Sequence, residues 1–184
     1  MQEREINTNL TIGELTSLAE KTAEGLICKL RDLSFTLALC ESCTAGLVSN
    51  FLACVPGASD VLWGSFVCYT KEAKVSMLGL DYDELSAHGL VSRETALSMA
   101  AGALQKSGAD IAASVTGLAG PNGDGSEVPV GTVWAAAALR NGETVAREFH
   151  FSGSRNSVRI RAGIAVLELI KNTLELKVPL LTKA

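Results

Sequence analysis

The run Glu41-Ser42-Cys43-Thr44-Ala45-Gly46 sets two hydroxyls and a thiol between two apolar stretches. Upstream, Phe35 to Cys40 suits a short buried strand; downstream, Leu47, Val48, Phe51 and Leu52 recur at helical spacing. The junction reads as a strand handing over to a helix, with Ser42, Cys43 and Thr44 over the helix amino end. Such an end carries unpaired N–H groups and partial positive charge, which favour an anion or an oxyanion. Ala45 and Gly46 are small enough to let a ligand approach the backbone. The same residues also fit a plain N-cap, worth about 1 kcal/mol and no chemistry.

Three further segments could complete such a site. In Tyr69-Thr70-Lys71-Glu72-Ala73-Lys74, Tyr69 ends an apolar strand and Lys74 lies about one turn into the next helix. An ordinary surface lysine is solvated. Burial, however, lowers an amine from about 10.4 towards neutrality, and a neutral lysine activates a serine. Tyr69 is placed to relay or donate a proton. The glycine-rich run from Thr116 through Gly117, Ala119 and Gly120 to Gly125 exposes backbone N–H groups, but it matches neither a P-loop nor a dinucleotide fingerprint. Its plain reading is a surface turn. Finally, Gly153-Ser154-Arg155 precedes Arg159 by one turn, so Ser154 caps a helix while Arg155 and Arg159 flank its amino end as a phosphate grip. Arg161 points elsewhere by helical phase. Two exposed arginines beside a cap are the plain alternative.

The elements needed to position these groups are legible. A first helix starts near Thr11 or Gly13, with Leu15, Leu18, Ala19, Leu26, Ile27 and Leu30 on one face. The strand at 35–40 and a helix from about 44 to 54 follow, then a strand over 62–69 and a helix from Lys71 to a stop at Gly79. DYDELSAHGL reads as a turn. Ser92 and Thr95 open a helix to about Lys106, Ile111–Val115 forms a buried strand, and strands over 131–139 and 144–151 flank the hairpin signal Asn141-Gly142. A last helix runs from Arg155 to about Asn172. This alternation predicts an α/β fold, a three-layer α/β/α sandwich with a mixed, mostly parallel sheet of about five strands. Residues 1–12 read as a loose arm, 13–176 as a single domain and 177–184 as a tail. Ligands in such folds gather beyond strand ends, where loops converge.

Composition narrows the partners. A net charge of −4 offers no global basic field for nucleic acid. Cys28, Cys40, Cys43, Cys54 and Cys68 form no C-x-x-C pair and read as reduced thiols of a cytoplasmic protein. With only His88 and His150 besides, no metal centre is expected. No apolar run approaches the roughly 20 residues needed to span a membrane, and the polar amino terminus is unlike an export signal.

Taken in order, ESCT-x-G, YT-x-EAK, GLAGP-x-G, PVGTVW and SG-x-R resemble the nicotinamide-nucleotide amidohydrolase family, the CinA C-terminal-like domain, over about residues 14–172. The resemblance implies the α/β/α fold, a stand-alone form, homo-oligomers (dimer or higher) and no cofactor. It implies hydrolysis of nicotinamide mononucleotide (NMN) to nicotinate mononucleotide and ammonia, a pyridine-nucleotide salvage step. Ser42 is then the nucleophile and Lys74, directly or through Tyr69, the base. Backbone N–H groups at Cys43 or Thr44 serve the oxyanion, and the phosphate lies near Arg155, Gly153 and the Gly117–Gly120 loop. The helix end after Ser42 is the other place for the phosphate, and Cys43 is a rival nucleophile. The alternative is a non-catalytic nucleotide-binding or partner-binding module of the same fold. Ala45 stands where the family has a glycine, which is tolerable unless that position needs a positive φ.

Overall fold

The computed structural model describes residues 10–181. Helix α1 (Ile12–Leu33) starts where its capping signal lies: Thr11 Oγ1 accepts the Glu14 N–H at 3.3 Å, and Glu14 reaches back to the Thr11 N–H at 2.8 Å. Strand β1 (Leu37–Glu41) and helix α2 (Leu47–Ala53) follow, then a short 3-10 turn and β2 (Leu62–Val67). Helices α3 (Lys71–Leu78), α4 (Tyr82–His88) and α5 (Arg93–Ser107) lead to β3 (Ile111–Gly117), β4 (Thr132–Leu139), β5 (Thr144–His150) and α6 (Arg155–Leu181).

The sheet has the order β2-β1-β3-β4-β5. β1 pairs in parallel with β2 and β3, and β4 pairs antiparallel with β3 and β5, so β4 alone runs against the other strands. Side chains alternate across β1. Leu37 and Leu39 enter one core with α1, α2 and α6; Ala38 and Cys40 enter another with Leu78 of α3 and Met99 and Ala103 of α5. The sandwich therefore has two helical layers, and the expected fold class holds. Its carboxyl edge gathers the ends of β1, β2, β3 and β5 and the start of β4, as the strand directions require. Among the described residues no helix is long and apolar enough to cross a membrane.

Four expectations change. DYDELSAHGL is not a turn: Asp81 Oδ1 accepts the N–H groups of Asp83 and Glu84, capping α4, and Leu85 is buried beneath it. α2 begins at Leu47, later than expected, because residues 42–46 form a tight turn. α6 continues past Asn172 to Leu181, so Lys177 is not its end. Of the expected arm, residues 1–9 lie outside the described residues, as do 182–184 of the tail, while Thr11 and Ile12 already belong to the entrance of α1.

Candidate active site

β1 delivers Ser42 at the carboxyl edge, where the Ser42 N–H donates to the Val115 carbonyl of β3 at 3.0 Å. From the neighbouring β2, the chain turns through Tyr69 and enters α3 under a Thr70 cap, which accepts the Ala73 N–H at 3.1 Å. One turn later Lys74 points inward. It is 1% exposed, a degree of burial rare for lysine. Its Nζ lies 3.0 Å from Ser42 Oγ and donates to the Cys68 carbonyl at 2.9 Å. No carboxylate forms an ion pair with it among the described residues. Burial lowers the Lys74 pKa from its ordinary 10.5, against a smaller opposing pull from Cys40, Cys68 and Cys43. A neutral amine there keeps a lone pair for the serine proton.

The turn that carries Ser42 is gripped from both sides. Glu41, 1% exposed, accepts from Thr44 Oγ1 at 2.8 Å, Val48 N at 3.0 Å, Ser49 N at 2.9 Å and Ser65 Oγ at 3.1 Å. Its carboxylate thus occupies the amino end of α2. The Val48 and Ser49 N–H groups of this helix end are thereby taken by the protein's own buried acid and are left to neither an oxyanion nor a phosphate, and the Thr44 hydroxyl faces that acid. Opposite, Arg159 donates from Nε to the Cys43 carbonyl at 3.2 Å and from Nη2 to the Thr44 carbonyl at 2.6 Å. The turn closes with Ala45 N–H to Ser42 O at 3.1 Å. Ala45 adopts φ 52° and Gly46 φ 90°, so the position where the chain departs from the family pattern does demand a left-handed backbone. Cys43 is buried, and that burial pushes its thiol up to about 12. Such a thiol stays protonated near neutrality and is a poor nucleophile.

A second group lies further out. Arg155, exposed at the start of α6, donates from Nη2 to the Tyr69 hydroxyl at 2.8 Å and from Nη1 to the Gly120 carbonyl at 2.7 Å. Ser154 caps this helix through the Ser157 N–H at 3.3 Å, as expected. The Tyr69 hydroxyl meets Arg155 rather than Lys74, and its side chain is 52% exposed. Gly153 is exposed beside Arg155, and Ala119 is buried in the loop wall. The Thr116 hydroxyl is spent on the Leu90 carbonyl at 2.7 Å, so it braces the loop before α5. At Gly117 a Cβ would meet the Thr132 carbonyl at 2.7 Å, so only glycine lets β3 and β4 approach there. Arg161 is buried, with Nη1 on the Ser152 carbonyl at 2.7 Å.

Sequence reasoning singled out no role for Glu41 and took Arg159 for a phosphate ligand. The signal for Glu41 was present: an acid ending an apolar strand, seven residues before the Val48 N–H that it accepts.

The CinA C-terminal domain family model matches residues 19–174 of this chain. The chain belongs to this family. Among its relatives, the nicotinamide-nucleotide amidohydrolase PncC of Escherichia coli K12 is 40% identical over 161 residues, 88% of this chain and 95% of that protein. A putative competence-damage inducible protein of Symbiobacterium thermophilum is 44% identical over 153 residues, 79% of this chain. The chain spans about a third of such longer CinA relatives, 36% in that case and 32% for the CinA-like protein of Mycobacterium tuberculosis H37Rv. In three dimensions, the competence/damage inducible protein CihA of Agrobacterium tumefaciens superposes with TM-score 0.81 at 38% identity, covering 84% of this chain and 94% of that one. This CinA C-terminal domain thus shares its fold with a solved member of the family.

Proposed function

We propose that this CinA-family chain is an amidohydrolase acting on NMN, with Ser42 as nucleophile and Lys74 as general base. The observation that carries the reading is a buried lysine amine, with no ion-paired carboxylate among the described residues, 3.0 Å from a serine hydroxyl at the sheet's carboxyl edge. Neutral Lys74 takes the proton of Ser42 Oγ as that oxygen attacks the amide carbon. The Lys74 ammonium then protonates the departing nitrogen, leaving an acyl ester on Ser42 and free ammonia. Water, deprotonated by the same amine, attacks the ester and releases nicotinate mononucleotide. The Cys68 carbonyl holds the amine in place throughout.

Arg155 and Tyr69, bonded to each other at the rim, suit the phosphate: the guanidinium is exposed and matches phosphate geometry. Gly153, Gly117, Ala119 and Gly120 shape the walls around it. Assembly into homo-oligomers and a cytoplasmic role in pyridine-nucleotide salvage complete the proposal. Its support is the 40% identity to the PncC amidohydrolase over 88% of the chain, together with the Ser42–Lys74 geometry.

The test is to incubate the purified chain with NMN and follow ammonia and nicotinate mononucleotide. Turnover that Ser42→Ala abolishes, in a folded protein that still binds NMN, is the expected result. Binding without turnover by the wild type overturns it in favour of a binding module. Replacing Arg155 by Ala should raise KM for NMN about tenfold while leaving hydrolysis of the phosphate-free riboside unchanged.

A further inference from the structure

Acyl transfer at Ser42 develops negative charge on the attacked carbonyl oxygen, and donors for it must be fixed before the charge forms. Arg159 donates to the carbonyls of both Cys43 and Thr44, at 3.2 and 2.6 Å. These peptide units are trans, since the cis bond among the described residues is Gly120–Pro121. In a trans unit the N–H points opposite its C=O. Drawing the Cys43 carbonyl onto Arg159 therefore turns the Thr44 N–H away from α6. Drawing the Thr44 carbonyl the same way turns the Ala45 N–H, which is consumed in closing the turn on Ser42 O at 3.1 Å.

The Thr44 N–H has no acceptor among the described residues, although Thr44 is 0% exposed. Buried N–H groups without a partner are rare in folded proteins, so one beside a nucleophile suits an acceptor brought by the substrate. Its direction also fits. α6 packs with α1 and α2 in one layer, whereas α3, which carries Lys74, packs with α5 in the other. A group turned away from α6 is turned toward the side from which Lys74 reaches Ser42.

The geometry points to Arg159 as the positioning residue of an oxyanion hole: it holds the Cys43–Thr44 peptide so that the Thr44 N–H receives the carbonyl oxygen of the substrate. The inference rests on the Ser42 acyl-transfer reading above. It separates the two arginines of α6, because Arg155 has its guanidinium at the exposed rim and Arg159 has two of its donors on the turn. A cation on the carbonyl also polarises the same peptide's N–H, strengthening the donor.

Arg159→Ala and Arg159→Lys, each checked for fold by circular dichroism and melting, test this with two readouts. With NMN, Arg159→Ala should lower kcat about 10- to 100-fold and leave KM within about threefold. Lysine, a single point charge that cannot fork across two carbonyls, should fall between alanine and wild type. Added guanidinium should restore part of the lost kcat in the alanine variant. The second readout is labelling of Ser42 by an alkyl fluorophosphonate, whose tetrahedral adduct sets an oxygen in the same hole whatever the natural substrate. Its rate should drop by a similar factor. If the alanine variant does not fold, the lysine variant carries both readouts.

A KM raised tenfold or more at unchanged kcat would make Arg159 a substrate ligand and overturn the inference. So would unaltered kcat and labelling. A wild type that labels rapidly without hydrolysing NMN, paired with slow labelling of the variant, refutes the substrate and keeps the oxyanion hole. A wild type that neither turns over nor labels overturns both.

Discussion

Lys74 ties the proton transfer to pH. Its burial disfavours the ammonium, and the proposed reaction uses the amine, so kcat/KM should rise with pH along a limb whose midpoint lies below the ordinary 10.5. Lys74→Met should abolish both turnover and that limb. The stability consequence has a definite sign. Between the lowered folded value and 10.5 the unfolded chain binds more protons, so the wild type should gain stability with rising pH relative to Lys74→Met. Urea unfolding at pH 7, 8 and 9 checks this; a constant difference would show that the amine is charged in the folded protein. Ala45 makes a quieter prediction. At φ 52° an alanine costs about 1 kcal/mol, so Ala45→Gly should stabilise the fold by about 0.5–1 kcal/mol, read as a shifted urea midpoint at unchanged slope.

At the scale of elements, the decisive unit is the strand–turn–helix from β1 to α2. A seven-residue helix is too short to hold itself in water, so its place depends on what binds its ends and faces. Val48, Phe51 and Leu52 bury one face, and the Glu41 carboxylate takes the N–H groups of Val48 and Ser49 at the other end. Glu41→Gln keeps the shape but turns an N–H donor toward those amides. The expected loss is about 2–3 kcal/mol of stability, with a fall in kcat as the Ser42 turn loosens. Full activity with unchanged melting would show that the turn needs no carboxylate.

For the whole molecule, the sheet separates the proposed chemistry from support. Ser42, Lys74, Arg155 and the Gly117–Gly120 loop stand at the carboxyl edge, as strand direction dictates. The amino edge has its own lock: Asp110 accepts from Thr36 N at 2.8 Å and Thr36 Oγ1 at 2.7 Å, and pairs with Arg140 at 3.2 Å. Asp110→Ala should therefore cost about 1–3 kcal/mol of stability and leave kcat/KM unchanged at temperatures where the variant stays folded. Comparing its melting temperature with its kinetics checks whether the two edges are independent.

The sequence by itself determined the order of elements, the layers and the four segments that meet at one sheet edge. Those follow from local causes: the capping pairs Thr11–Glu14 and Ser92–Thr95, the Asn141-Gly142 hairpin, and apolar residues at strand or helix period. It also named Ser42 and Lys74 as a pair through the order of motifs. Tertiary structure alone decided what those residues face. Whether Lys74, thirty-two residues from Ser42, is solvated or buried depends on α3 packing against the sheet beside Cys68, and no local pattern records that contact. The same holds for Arg159, whose guanidinium lies four residues from Arg155 along α6 yet bonds a turn at residues 43 and 44. Helical phase placed both arginines near one helix end; only the packing of α6 beneath β1 and α2 assigned one to the rim and the other to the backbone of the Ser42 turn.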